Sequence, residues 1–280
     1  MKKKIGIAAI LAVCLFCLAG CGSAEIELPD LSELGEITVI SREDGSGTKD
    51  EFQSLVDTDE EGSNATALST EQVLEMVEAD ENAIGYVAYS AVGSDFTGTV
   101  LAVDGVEPSA DTIADGSYAL CRQYLVAYSG ELSELEQDFI TYMRGAGQAI
   151  VAETCTPVYN TTSFLSNLES GTITISGSSS MASLMEELVE DYLTYNPNAE
   201  ITIEVSDSTE GLNDAMRGDC DLAMSSRSLK DYEEELLEYK VIAADGVAIV
   251  VNSENPLTEI TVDLLKTIYD GDVTEWADLN

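Results

Sequence analysis

The chain has 280 residues, with 12 Lys and Arg against 53 Asp and Glu, no histidine, six cysteines and 45% apolar residues. That length and apolar content suffice for two domains with real cores, which excludes wholesale disorder. A formal charge of −41 argues against nucleic acid and anionic membrane surfaces as partners, and the missing histidine excludes imidazole bases, Ser-His-Asp or Cys-His pairs and His-ligated zinc.

Lys2, Lys3 and Lys4 precede an apolar run from Ile5 to Ala19, the layout of a secretory signal. The run closes on Leu18-Ala19-Gly20-Cys21, which resembles the lipobox of bacterial lipoproteins. Residues 1–20 are therefore expected to be a signal peptide and Cys21 a diacylated N-terminus. A membrane span is the rival reading, but about fifteen apolar residues fall short of the ~20 that a spanning helix needs. Two acyl chains anchor stably, so membrane contact is expected through the lipid alone, at the outer face of the bacterial cell membrane. Cys14 and Cys17 form a C-x-x-C inside the discarded segment. Cys121, Cys155 and Cys220 remain, an odd number with no ligand-like spacing, and are read as small buried residues whose redox state stays open. No cofactor and no metal are expected.

Residues 21–35 read as an acidic tether containing Pro29. Ile37 and Val39 alternate in a short strand ending at Ser41, and Phe52, Leu55 and Val56 mark an apolar helical stretch. Asp57, Asp59, Glu61 and Gly62 start an EF-hand-like run, but its twelfth position is Leu68 where a bidentate Glu is needed. Ser69 to Gln72 reads as a capping box ahead of a helix face of Val73, Leu74 and Val77. Leu132, Leu135, Phe139 and Met143 recur at helical spacing up to Gly145 and Gly147. In the second half Ile173 and Ile175 form a strand, Met181, Leu184, Leu188 and Tyr192 a helix ending before Pro197, and Ile201, Ile203 and Val205 another strand. Val247 to Val251 is a continuous apolar run suited to a buried strand. Repeated strand-then-helix order predicts an α/β fold with largely parallel sheets.

Three small-residue loops between a strand and a helix hold the candidate chemistry. Ser176 to Met181 leads into the best amphipathic helix, and an anion could approach the free N–H groups of its first turn; an ordinary serine cap is the plainer reading. Arg42-Glu43-Asp44-Gly45-Ser46-Gly47-Thr48 sets a rare cation beside a Gly-rich turn, with Asp44 able to hold the guanidinium; a solvated turn is the alternative. No Walker A loop is present. Ser206 to Gly211 is followed by Asp219 to Arg227, acidic surroundings that suit an anion still carrying a proton; a solvated surface is the plainer reading. A carboxylate accepts a hydrogen bond from monohydrogen phosphate and repels sulfate, which has no proton to share.

Together the segments GSSSM, CDLAMSSRSL, ADGVAIVVNSENPLTEIT, LLKTIYDGDVTEW, REDGSGTKDEF, NAIGYV, DFITYM and GQAIVAETCTPV resemble the phosphate-binding proteins of bacterial phosphate ABC importers, the PstS-like family. The resemblance implies a two-domain type II periplasmic-binding-protein-like fold with a ligand cleft. The blocks stand in an order unlike the family's usual one, in which GSSS opens the protein and the GQ…PV block closes it. A circular permutant accounts for this, with 160–170 joining the old ends; a fragment of a tandem protein is the rival. In the permuted order, 36–120 plus 249–280 form a discontinuous domain and 121–248 a contiguous one.

The resemblance also implies the site. Ser179, Ser180 and Ser208 would donate to phosphate, Asp221 would accept its proton, and Arg42, braced by Asp44, would donate from the other domain with Ser46, Gly47 and Thr48. Ser225, Ser226 and Arg227 would support Asp221. The implied function is a non-enzymatic, monomeric lipoprotein that captures inorganic phosphate for the permease and ATPase of an ABC importer. The alternatives are another oxyanion, or sensing or adhesion without transport. A phosphatase would need a metal cluster or an activated nucleophile, for which the spacing gives no basis.

Overall fold

A computed structural model of the protein describes residues 28–279. The signal segment and Cys21 lie outside these residues. In chain order the elements are β1 (Thr38–Arg42), α1 (Gly47–Val56), β2 (Ala65–Ala67), α2 (Thr70–Ala79), β3 (Ala83–Ala88), β4 (Thr99–Val100), β5 (Ala102–Val103) and α3 (Ala110–Ala114). Next come β6 (Cys121–Tyr128), α4 (Glu134–Met143), α5 (Gln148–Thr154), β7 (Gly171–Ser178), α6 (Ala182–Tyr195), β8 (Ala199–Ser206), α7 (Ser208–Arg217) and β9 (Leu222–Ser225). The chain ends with α8 (Asp231–Glu234), β10 (Glu238–Val251), β11 (Glu259–Ile260) and α9 (Val262–Tyr269).

One mixed sheet runs β2-β1-β3-β10-β6-β9-β7-β8, with β4 on β10. The pairs β1 with β2 and β3, and β7 with β8 and β9, are parallel, as strand-helix alternation requires. The centre is not. β10 runs antiparallel to β3, β4 and β6, and β6 antiparallel to β9, so the expectation of largely parallel sheets holds only in the two wings. The reason is connectivity: β6 and β10 pass between two lobes in opposite directions. β10 pairs with β6 from Glu238 to Gly246 and with β3 from Val247 to Val251, so one strand serves both lobes.

Each wing is covered on both faces, which explains its continuous apolar strands. In one lobe Phe52, Tyr86, Tyr269 and Trp276 lie on one face, and Ile40, Val73, Val77 and Val250 on the other beneath α2. In the second, Phe139, Met181, Leu188 and Tyr192 pack α4 and α6 on the sheet, while Leu212, Ala215 and Ala223 seat α7 behind it. Strand β8 is the edge, so Val205 is left half exposed despite its alternation.

Local capping follows the side chains. Ser133 and Glu136 form a reciprocal capping box on α4. At α2, Ser69 accepts from the Gln72 amide, but the Gln72 side chain reaches past the cap to the Leu68 N–H, so half of the expected box forms. The segment read as a tether is not free along its described part: Leu31 is fully buried against the Trp276 cluster. Cys121, Cys155 and Cys220 are free thiols, the last two buried. The 160–170 link has neither helix nor strand.

Trp276 is fully buried and its indole N–H donates to the Asn82 carbonyl at 2.9 Å. Truncation removes the largest side chain of its cluster and one of the two hydrogen bonds on that carbonyl, which keeps the one from the Thr38 amide. Trp276→Ala is expected to cost about 3–5 kcal/mol, read as a lowered urea midpoint by circular dichroism.

Candidate functional site

Three strand ends meet where the lobes face each other. β1 delivers Arg42, and the following turn passes through Gly45 in the left-handed region (φ 95°) to Ser46, whose hydroxyl caps α1 by accepting from the Lys49 amide. β7 ends at Ser178 and gives way to a tight turn, Ser179–Met181, ahead of α6. β8 ends at Ser206, and Asp207 caps α7, taking the Glu210 amide at 2.8 Å. Helices therefore start where parallel strands finish, with their first N–H groups turned toward the interface.

The Arg42 side chain is buried and its five N–H groups are forked three ways. Nε and Nη2 grip Glu43 side-on at 2.7 Å each, Nη1 donates to Thr70 Oγ1 at 3.1 Å, and Nη2 reaches across to Ser179 Oγ at 3.1 Å. Ser180 Oγ lies 2.8 Å from Thr48 Oγ1 and 3.1 Å from Thr70 Oγ1. Ser226 Oγ accepts from Ser178 Oγ at 2.9 Å and lies 3.3 Å from Ser208 Oγ. A second guanidinium closes the ring: Arg122 Nη1 donates to Thr48 Oγ1 at 2.6 Å, while Nη2 is held 3.0 Å from Asp245 and 3.1 Å from the Tyr124 hydroxyl. Burial disfavours the charge on Arg122, but Tyr124 and Asp245 outweigh it and raise its pKa. The result is a desolvated cluster of hydroxyls around two cations, chemistry suited to an oxyanion.

Of the residues expected at the site, the structure brings together Arg42, Thr48, Ser179, Ser180 and Ser208, with Gly47 packed among them. Ser46 is adjacent, its hydroxyl accepting from the Lys49 amide at the start of α1. Asp44 is a correction: its carboxylate is fully exposed on Lys49 at 2.8 Å, and Glu43 is the residue that braces Arg42. Asp221 is a larger one. It is exposed at the start of β9, level with β7 residue Thr174, whose amide it takes at 2.7 Å. Ser226, five residues on and roughly 16 Å along the strand, is the residue that reaches the cluster. Thr70, Glu43 and Arg122 were missed. Thr70 hid as the first residue of a capped helix, whereas Arg122 and Asp245 carried a signal: opposite charges inside two apolar strand segments, which pair in register.

The lobes are closed on each other. Thr209 N–H donates to the Gly45 carbonyl at 3.2 Å, and Arg227 and Lys230 both lie 3.0 Å from Asp50 on α1. Contact is tightest at Gly47, where a Cβ would fall 2.2 Å from Ser208 Oγ and 2.7 Å from Ser226 Oγ. Behind β1, Ser41 donates to buried Glu60 at 2.5 Å, and the Tyr86 hydroxyl joins Ser41 to the Arg42 amide. Desolvation raises the Glu60 pKa, and hydrogen bonds from Ser41 and Tyr86 offset this only in part.

Comparison with known proteins agrees with this architecture. A family model described as a PBP superfamily domain matches residues 25–146 and 162–280. Phosphate-binding protein PstS 2 of Streptococcus pneumoniae serotype 4 (strain TIGR4) is 35% identical over 288 residues, 98% of each chain, and its namesake from Streptococcus agalactiae serotype V is 33% identical over 279 residues, 94% of this chain and 93% of that one. A crystal structure of a phosphate-binding protein of a phosphate ABC transporter from S. pneumoniae TIGR4 superimposes with a TM-score of 0.72 at 34% identity, covering 88% of this chain and 100% of that chain. The chain belongs to the PBP superfamily and, within it, to the PstS-like family of substrate-binding proteins of phosphate ABC transporters.

Two outcomes follow from the geometry. Gly47→Ala is expected to oppose closure by about 1–3 kcal/mol of overpacking, weakening anion affinity about 10- to 100-fold with little change in the unfolding midpoint. Because the folded state holds the Glu60 proton more tightly than the unfolded chain does, wild-type stability rises as pH falls toward the ordinary glutamate range. Glu60→Gln is therefore expected to be the more stable protein at pH 7 and to lose that advantage on acidification, in urea melts across that range.

Proposed function

We propose that this chain is an extracytoplasmic solute-binding protein that captures inorganic phosphate in the cleft between its lobes and hands it to the permease and ATPase of an ABC importer. The observation that carries the reading is the convergence of Arg42 with the hydroxyls of Thr48, Ser179, Ser180 and Ser208 from three separate loops. Arg42 supplies charge, the hydroxyls supply direction, and the first amides of α1 at Gly47 and Thr48 and of α7 at Ser208 supply partial positive charge. On binding, hydroxyls that now bond one another exchange those partners for phosphate oxygens. Closure strengthens every such contact by removing water. The overall charge of −41 does not oppose this, because at ~0.15 M salt exposed charges are screened beyond about 8 Å.

The relatives are named as binding proteins, which supports a transport role without catalysis. Anchoring through lipid on Cys21, action as a monomer, and the division into 36–120 plus 249–280 and 121–248 belong to the same proposal. The separate Phe52–Tyr86–Trp276 and Phe139–Met181–Tyr192 clusters favour that division. The permuted block order is part of it too, supported by similarity to the pneumococcal relative along 98% of both chains.

Calorimetric titration of the full chain with phosphate is expected to show a single saturable site. Arg42→Ala, which deletes the only guanidinium bonded to both Thr70 and Ser179 among the described residues, is expected to weaken binding by about 100-fold or more. Wild-type affinity in that variant would place the site elsewhere.

A further inference from the structure

Beside the hydroxyl cluster a second set of contacts joins the lobes, and it is built from charge. Asp50 stands in the first turn of α1, on the lobe that carries Arg42. Its Oδ2 lies 3.0 Å from Arg227 Nε and 3.0 Å from Lys230 Nζ, both on the facing lobe. The cations are set in place without it. Arg227 is buried, with Nη1 and Nη2 on Glu233 at 2.7 and 2.8 Å and Nη1 also on the Ser228 carbonyl at 2.9 Å, and Glu233 takes the Lys230 amide at 2.8 Å. The Nε edge of the guanidinium is the part that meets the other lobe, a socket formed in advance for one carboxylate.

Neither contact of Asp50 Oδ2 has hydrogen-bond alignment, and both Oδ2 and Arg227 Nε are buried with no hydrogen bond elsewhere. Charge attraction therefore holds them against the hydrogen bonds that water would supply once the lobes part. The Arg122–Asp245 pair on the crossing strands is the contrast, since two of its nitrogens are hydrogen-bonded to the carboxylate and it suits a permanent joint. Thr209 extends the separable contact. Its Oγ1 accepts from Arg227 Nη2 at 3.2 Å, and its amide, in the first turn of α7 where no helical acceptor exists, donates to the Gly45 carbonyl across the interface. Among the described residues, the side chains of Asp50, Arg227 and Lys230 make no hydrogen bond to Arg42, Thr48, Thr70, Ser179, Ser180 or Ser208.

We infer that Asp50 is a latch between the lobes, a positioning residue that closes on Arg227 and Lys230 and slows release of a captured anion without touching it. The inference rests on the proposed phosphate capture in the cleft and adds what retains the ligand there. Its sign separates it from simple electrostatics. A carboxylate two residues from Thr48 repels an anion, so its neutralisation would by charge alone slow release. Loss of the latch does the opposite, because release requires the lobes to part.

The full chain, purified in detergent at constant ionic strength, is compared with its Asp50→Asn variant, which keeps the shape and removes the charge. Hydrogen exchange of the Thr209 amide reports opening, with and without phosphate, and a chase of radiolabelled phosphate reports release. Both are expected to be about 5- to 20-fold faster in the variant, with the amides of β7 unchanged. Lys230→Met is expected to speed Thr209 exchange about 2- to 5-fold in the wild-type background and to add nothing in Asp50→Asn. Release that is unchanged or slower in Asp50→Asn would overturn the latch, as would a Thr209 amide unprotected in the wild-type chain under both conditions. Faster exchange along β7 as well would assign Asp50 to general stability and sink the inference, and equal effects of Lys230→Met in the two backgrounds would do the same. A wild-type chain that binds no phosphate, yet whose Thr209 exchange still depends on Asp50, would uphold the latch and overturn phosphate capture.

Discussion

The ion pair between Arg122 and Asp245 ties the molecule together at the point where it must be both continuous and divisible. The two residues face each other in antiparallel register on β6 and β10, the strands by which the chain passes between its lobes. Both side chains are buried, a costly arrangement unless all their polar atoms find partners. Here the Tyr124 hydroxyl, the Ser90 amide and Thr48 complete the set. The pair thus fixes the strands at the crossing and, through Thr48, carries a positive charge into the cleft.

From that anchor the cleft is built by repetition of one device. A parallel strand ends, a short run of Gly and Ser turns the chain, and a helix starts with its first amides and hydroxyls at the interface. Small residues matter because the lobes approach within bonding distance there, and Gly47 and Gly45 leave no space for a side chain against Ser208 and Asp207. The buried Arg42 is kept productive by Glu43 on one flank, which leaves its other edge to Thr70 and Ser179. A strongly acidic protein can hold an anion this way because the acids that reach the site, Glu43 and Asp245, are each tied to a guanidinium, while the cations and dipoles are desolvated within it.

Much of the framework was legible in the chain. The helices containing Met181 to Tyr192 and Leu135 to Met143, and the strands around Val39, Ile175 and Ile249, follow from periodicity, because one face of each is buried against a neighbour. The donor loops were legible for a local reason too, since a Gly-Ser turn after a strand presents free amides wherever it occurs. What failed was choice among neighbours. Asp44 and Glu43 are adjacent and both acidic, and only the path of the turn after β1 decides which one meets the guanidinium. Asp221 and Ser226 flank the same short strand, and only the alignment of β9 with β7 shows that the serine end, not the aspartate end, faces the cleft.

The amino-acid sequence by itself determined the class of fold, the loops that gather donors and the absence of histidine chemistry, because these depend on composition and on residues near in the chain. Tertiary structure alone decided the membership of the cluster. Thr70, Arg122 and Ser226 come from segments far apart in sequence, and their meeting depends on strand order, on the register of β6 with β10 and on closure of the lobes. It also decided which hydroxyls accept from the guanidinium and amide N–H groups. A hydroxyl gives or takes according to what already occupies its lone pairs, and that occupant is named only when distant segments are brought face to face.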